Sequence, residues 1–212
     1  LRNLTIIDDA VKQVKRMEPD FSIDAIPTDD KAVFEMLGEG QSTGVFQFES
    51  AGMRRVLSQF KPESIEDLIA IVSLYRPGPM DSIPTYIRNK NNPSLIRYKH
   101  PLLEPILKVT YGCIVYQEQV MEICRKLAGF SLGHADLVRR AMSKKKADVM
   151  EKERANFIAG CEKNGVSKNI ATDIFNEMSS FASYAFNKSH AAAYALVSYQ
   201  TAYLKCHYPQ QY

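Results

Sequence analysis

The sequence predicts a mainly α fold of many helices, with a small β hairpin or short strands. Apolar residues recur at three- and four-residue intervals through most of the 212 residues, which is the period of a helix. Ten prolines and ten glycines punctuate the chain and end these periodic stretches at several places. β-Branched and aromatic residues surround Gly112 between residues 109 and 116, which predicts the hairpin. A second, shorter extended piece is predicted at residues 45–48.

Turn and capping signals divide the N-terminal part into four helices. Pro19 ends the first helix, whose apolar stripe begins at Leu4. Asp29 or Asp30 can cap the second helix, and Ser64 with Asp67 resembles a capping box for the fourth. The length suits one large domain, or one domain with a small annex. The predicted helices cover residues 3–17, about 29–37, about 52–60 and 65–74.

The C-terminal part begins with a turn and a polar segment. Two prolines fix φ in Arg76-Pro77-Gly78-Pro79, and Gly78 allows the chain to reverse, so this stretch predicts a rigid turn. Residues 88–101 are polar and basic. We interpret them either as a surface segment that contacts a DNA backbone or as a loop with no binding role. The predicted helices cover residues 117–127, about 134–160, 170–181 and 191–207.

Positive charge is concentrated between His134 and Lys146. Arg139, Arg140 and Lys144 fall within about two turns of one predicted helix, where residues three and four apart share a face. Guanidinium groups match pairs of phosphate oxygens, and a lysine adds a compact point charge. The run therefore indicates a binding site for a polyanion such as a triphosphate. A solvated charged face is the alternative, because acidic residues follow directly.

A second polar cluster lies between Phe181 and Tyr194. Asn187 or Ser189 is a suitable N-cap for the alanine-rich helix that follows. Lys188 and His190 then lie at a helix start, where unpaired N–H groups and the helix dipole favour an anion. An ordinary capped helix with an exposed lysine and histidine is the alternative.

Composition restricts the class of protein. The net charge is +3, so any nucleic-acid binding must come from local patches rather than from the whole chain. The four cysteines form no C-x-x-C pair and are not grouped with the four histidines, so we expect reduced thiols and no metal site. The sequence has no secretory signal and no apolar run of membrane length. We therefore expect a cytoplasmic protein.

Six sequence blocks together resemble a known family. They occur in that family's order and spacing and span essentially the whole chain. The chain is similar to the bacterial replicative DNA polymerase III alpha subunit family, of the DnaE type. The blocks are TGVFQFESAGM (43–53), LYRPGPM (74–80), TYGCIVYQEQVM (110–121), VRRAMSKKK (138–146), FNKSHAAAYA (186–195) and LKCHYP (204–209).

The resemblance implies an architecture and a set of partners. Residues 1–22 would be the C-terminal helix and edge of a palm domain, and residues 23–212 a multi-helix fingers domain. The chain begins with Leu1, and the family's catalytic aspartates would lie upstream, so the isolated chain would be inactive. Those aspartates would hold Mg²⁺, and no metal would be bound by this chain. The partners would be a deoxynucleoside triphosphate, primer–template DNA, the palm and thumb, and replisome subunits, with no membrane.

The resemblance also implies a role for each candidate site residue. Arginine and lysine side chains would grip the triphosphate, amide and hydroxyl groups would bond phosphate or sugar, and a bulky ring would exclude a ribose 2′-hydroxyl. The competing interpretation is a helical nucleic-acid-binding or protein-interaction module without a nucleotide site. The implied nucleotide-binding residues are Arg139, Arg140 and Lys144, then Asn187, Lys188, Ser189 and His190.

Overall fold

The computed structural model describes residues 2–144, 147–182 and 184–212 and confirms that the protein is mainly α. Short 3₁₀ turns connect several of the helices. No helix in the described ranges combines the length and the apolarity needed to cross a membrane. The α-helices are α1 Arg2–Val14, α2 Lys31–Gly38, α3 Ala51–Phe60, α4 Ile65–Leu74, α5 Ile83–Asn91, α6 Glu104–Leu107, α7 Gln117–Ala128, α8 Leu132–Lys144, α9 Ala147–Lys163, α10 Lys168–Ala182 and α11 Lys188–His207.

The chain divides into two compact units, of which the first contains Leu1–Val72 and Ser189–Tyr212. A small core in this unit joins α1 to α11 through Ile7, Val14 and Leu204, all of which are buried. The apolar stripe predicted for α1 is confirmed at Ile7 and Val14, whereas Leu4 is 53% exposed. The helix ends at Val14, and a turn leads on to Pro19.

Two predicted helix starts in this unit are confirmed by their caps. The Asp30 side chain accepts a hydrogen bond of 3.2 Å from the Val33 amide at the start of α2. The Asp67 amide donates to Ser64 Oγ over 3.2 Å at the start of α4. The Asp67 carboxylate in turn accepts a bond of 2.9 Å from the Glu63 amide. Each side chain replaces a bond that the first helical turn cannot make internally.

The extended piece predicted at residues 45–48 is wrong. Successive turns form there: the Val45 amide donates to the Ser42 carbonyl, and the Phe48 amide donates to the Val45 carbonyl. Ser42 Oγ closes the loop with a bond of 2.6 Å to the Phe48 carbonyl. Val45 and Phe48 are fully buried, so their apolar character reflects core packing rather than a strand.

The second unit, Ser73–Lys188, is built around helices α7 to α10. Its core is one continuous apolar cluster to which all four helices contribute. Gly160 of α9 lies so close to α7 that a Cβ atom there would overlap the carbonyl oxygen of Ala128. The fully buried members of this cluster include Val120, Ile123, Leu127, Val138, Phe157 and Met178.

The small β hairpin predicted at residues 109–116 is wrong, since no strand occurs in the part of the chain that the structure describes. Lys108–Thr110 forms a 3₁₀ turn, and Tyr111 and Gly112 follow with φ of 51° and 83°. Thr110 Oγ1 closes the turn with a bond of 2.6 Å to the Cys113 carbonyl. Thr110, Ile114 and Val115 are buried, whereas Val109 is 42% exposed. Burial favours the same residue types as a strand does.

The single helix predicted over residues 134–160 is also wrong. In a continuous helix, residues 134 and 153 would lie about 28 Å apart. His134 Nε2 and Glu153 Oε2 are instead separated by 2.6 Å. The chain therefore reverses between α8 and α9, and the two helices pack against each other as well as against α7.

The close approach of α9 to α7 leads to a stability prediction. Gly160→Ala should destabilise the protein by about 1–3 kcal/mol, because the added methyl group forces two backbones apart. Gly133→Ala is the matched control: Gly133 is also helical, and nothing lies within 4 Å of the position that an added methyl group would take. That substitution should stabilise the helix by roughly 0.5–1 kcal/mol. Urea unfolding measures both changes, and equal changes would contradict the close contact.

Candidate functional site

Helix α8 presents Arg139 and Arg140 on either side of a carboxylate. Asp136 Oδ1 accepts bonds of 2.7 Å and 3.0 Å from Nη2 and Nε of Arg139, and Asp136 Oδ2 lies 2.7 Å from Arg140 Nη2. The bond from Arg139 lowers the pKa of Asp136, burial opposes that shift, and Arg140 lowers it further. The basic run is therefore partly neutralised by its own helix.

The two arginines differ in exposure. The Arg139 side chain is 19% exposed, and that of Arg140 is 66% exposed. Arg139 also reaches a second partner, since its Nη1 donates to Gln117 Oε1 over 3.3 Å. The Lys144 side chain lies outside the described part of the structure, as do Lys145 and Lys146. Arg139 is thus held from two sides, whereas Arg140 is held by Asp136.

The segment before α11 is fixed to the start of α7 by backbone hydrogen bonds. The Phe186 amide donates to the Val115 carbonyl over 3.2 Å, and the Gln117 amide donates to the Phe186 carbonyl over 2.9 Å. These two bonds form an isolated parallel bridge between Tyr116 and Phe186. The polar cluster that begins at Asn187 is therefore anchored beside the first turn of α7.

Arg76 fixes the same segment from another element. Its Nη2 donates to the Tyr184 carbonyl over 2.6 Å, and its guanidinium lies 4.2 Å from the centroid of the Phe186 ring. Burial lowers the pKa of Arg76. Gly78, with φ of 101°, completes the predicted rigid turn and packs against the Tyr184 ring. A Cβ atom at Gly78 would lie 2.6 Å from that ring, so the turn requires glycine for both reasons.

The start of α11 is paired with a carboxylate of the same unit. Glu118 accepts a bond of 3.0 Å from Asn187 Nδ2 and bonds of 3.1 Å and 3.2 Å from the Lys188 amide. The Lys188 ammonium lies 5.3 Å from the centroid of the Tyr116 ring. Since α11 begins at Lys188, Asn187 is the candidate N-cap that directly precedes it. The predicted anion-favouring helix start thus faces an internal anion.

The structure therefore brings Arg139, Asn187 and Lys188 around Gln117 and Glu118. Ser189 and His190 belong to the first unit. There, the His190 ring packs at 4.4 Å from the Tyr194 ring, which in turn lies 5.6 Å from the Phe46 ring.

Sequence reasoning assigned no site role to Gln117, Glu118, Asp136 or Arg76. Asp136 precedes Arg139 and Arg140 by three and four residues, which is a recognisable helical pairing signal. No local pattern links Glu118 to Asn187, because 69 positions separate them.

The cysteines show no sign of activation. All four are free thiols. Burial raises the pKa of Cys113 to about 11 and that of Cys124 and Cys161 to about 12, so these thiols are poor nucleophiles at neutral pH. Among residues 2–144, 147–182 and 184–212, no three His, Cys, Asp or Glu side chains are grouped to hold a metal ion.

The family model for the bacterial DNA polymerase III alpha subunit finger domain matches residues 3–165. The chain belongs to this family. Its full length is 52% identical to DNA polymerase III subunit alpha of Borreliella burgdorferi, and the match covers 18% of that relative. It is 51% identical to the Staphylococcus epidermidis subunit and 50% identical to that of Staphylococcus aureus, over 20% of each. The chain thus spans about a fifth of the length of these relatives. The finger-domain match includes Arg139, Arg140, Gln117 and Glu118.

The pairing of Glu118 with the start of α11 can be tested by local exchange. Glu118→Gln removes the charge next to the Lys188 amide, an interaction of about 0.3–1 kcal/mol at a helix start. Hydrogen exchange at the Lys188 amide, followed by NMR, should accelerate roughly two- to fivefold. Glu122→Gln is the control, because Glu122 pairs with Arg125 and Lys126 on its own helix. Equal exchange in wild type and Glu118→Gln would show that Glu118 does not hold this helix start.

Proposed function

We propose that this chain forms the fingers of a DNA polymerase III alpha subunit and binds the incoming deoxynucleoside triphosphate. The arrangement of Arg139, Asn187 and Lys188 around Gln117 and Glu118 supports this function more than any other observation. The Arg139 side chain and the start of α11, separated by more than forty residues of sequence, bond to Gln117 and Glu118 in the first turn of α7. The Lys188 ammonium lies beside the adjacent Tyr116 ring. A charged face that served solubility alone would not need these long-range bonds.

The bound triphosphate would replace the internal carboxylates. Arg139 would exchange Asp136 for phosphate oxygens, which its planar fork can bind in pairs. Arg140, Lys144 and Lys188 would neutralise the remaining charge, including the charge that develops on the leaving pyrophosphate. Asn187 and Ser189 would bond phosphate or sugar, and His190 would contact the sugar. Either Lys144 or Lys188 could donate a proton to the pyrophosphate.

The rest of the reaction would need groups outside this chain. Mg²⁺ held elsewhere in the subunit would supply the Lewis-acid chemistry of the phosphoryl transfer. No group of three acidic side chains in the described ranges fits such an ion, so we assign its ligands to another part of the subunit. Residues 1–22 would complete the palm, and residues 23–212 would be the fingers. The partners would be primer–template DNA, the palm and thumb, and other replisome subunits in the cytoplasm. The isolated chain would not extend a primer.

The two arginines should contribute unequally to triphosphate binding in the full-length subunit. Arg139→Ala should weaken binding about 10- to 100-fold, since a hydrogen bond to a charged group contributes about 1.5–3 kcal/mol. Arg140→Ala should weaken it less than about fivefold, because exposed charge pairs contribute roughly 0.2–1 kcal/mol. Fluorescence titration with a triphosphate gives both dissociation constants.

Arg125→Ala is the control for general loss of positive charge, because Arg125 is an exposed arginine that pairs with Glu122 on α7. Its affinity should equal that of wild type. If Arg139→Ala bound triphosphate as wild type does, the chain would have no nucleotide site at this run. DNA binding with a steep salt dependence would then favour a general nucleic-acid-binding module.

His190→Ala should reduce discrimination against ribonucleotides about tenfold or more, because the ring would otherwise clash with a 2′-hydroxyl. The measurement is the ratio of kcat/KM for a deoxyribonucleotide and its ribonucleotide partner in the full-length subunit. Tyr194→Phe is the control, since it keeps the ring against which His190 packs. An unchanged ratio, with slower insertion and lower stability, would leave His190 as a packing residue.

A further inference from the structure

The side chain of Gln117 contacts both halves of the proposed nucleotide site. Its Oε1 accepts a bond of 3.3 Å from Arg139 Nη1, and its Nε2 donates a bond of 3.1 Å to the Ala185 carbonyl. Its backbone amide also donates to the Phe186 carbonyl over 2.9 Å. One residue therefore joins α8 to the segment that leads into Asn187 and Lys188.

The two side-chain partners of Gln117 require an amide. Arg139 offers donors alone, and the Ala185 carbonyl is an acceptor. An amide in the opposite orientation would place its NH₂ group against the guanidinium and its oxygen against the carbonyl, so the network fixes the orientation. A glutamate could accept from Arg139 but would repel the Ala185 carbonyl. A methionine of similar length would satisfy neither partner.

Gln119, two residues further along α7, has a different role. Its Oε1 accepts bonds of 2.8 Å and 2.9 Å from the amides of Val115 and Tyr116, and its Nε2 donates to Thr110 Oγ1 over 2.8 Å. Gln119 is buried, whereas Gln117 is half-buried. Gln119 therefore stabilises the start of α7 and makes none of the bonds to Arg139 or Ala185 just described for Gln117.

We infer that Gln117 is a positioning residue for triphosphate binding. It sets the Arg139 guanidinium relative to the 184–188 segment, so that Arg139 and Lys188 can act on one polyphosphate. This inference rests on the proposed function. It predicts that Arg139 and Gln117 act as a unit, so that removing either one removes most of the contribution of the other.

A double-mutant cycle in the full-length subunit tests the inference. Arg139→Ala should weaken triphosphate binding at least tenfold in the wild-type background and at most about twofold in the Gln117→Met background. Gln117→Met alone should raise KM for the triphosphate several-fold with little change in kcat. Gln117→Asn, which keeps the amide but is one methylene shorter, should resemble Gln117→Met because it cannot span both partners.

Gln119→Met is the matched control. It should lower the melting temperature, yet the effect of Arg139→Ala should remain full in that background. If a Gln117 variant fails to fold, seen as a lost cooperative melt, the cycle is completed with the other one. An equal effect of Arg139→Ala in the wild-type and Gln117 backgrounds would overturn the inference and leave the nucleotide site intact. No effect of Arg139→Ala in the wild-type background would instead overturn the proposed function.

Discussion

The candidate site depends on the short parallel bridge between Tyr116 and Phe186. Two backbone hydrogen bonds hold the segment before α11 against the first turn of α7. Arg76 reinforces the attachment by bonding the Tyr184 carbonyl and covering the Phe186 ring. Asn187 and Lys188 are distant from Arg139 in sequence, and this bridge brings them close to it in space.

The charges around this bridge are balanced internally. Asp136 lies between Arg139 and Arg140, and Glu118 faces the Lys188 amide. In the proposed function, a triphosphate would therefore replace the internal carboxylates as the anionic partner of these groups. It would not fill an unpaired cationic site. The gain in free energy comes from the difference between the two sets, because each internal pair must be broken first. A ligand with several negative charges can replace both carboxylates, and a ligand with one charge cannot.

Local sequence signals are sufficient to predict many of the helices. They do not predict where the chain reverses direction or which helices pack together. Asp30 and Ser64 cap helices as predicted, because a cap involves residues three positions apart. The reversal between α8 and α9 has no glycine or proline to mark it, and helical periodicity continues through it. The hairpin prediction at residues 109–116 depends partly on Ile114 and Val115, whose apolar character reflects burial rather than a strand.

In the candidate site too, residue types can be predicted from the sequence, whereas the contacts between distant residues cannot. Residue types in the basic run and the 186–190 block indicated phosphate chemistry, and the resemblance assigned individual roles. The bonds from Arg139 to Gln117 and from Asn187 to Glu118 join residues 22 and 69 positions apart, so no sequence window contains them. These tertiary contacts place the side chains, and no local sequence pattern encodes them.

The most direct test is a crystal structure of the full-length subunit with primer–template DNA and a non-reactive triphosphate analogue. The measured quantities are the distances from the phosphate oxygens to the Arg139 guanidinium and to the Lys188 ammonium. We expect both at about 2.7–2.9 Å, the range of charge-assisted hydrogen bonds, with Asp136 released from Arg139. A triphosphate bound elsewhere, with Arg139 still paired to Asp136 and Gln117, would contradict the account.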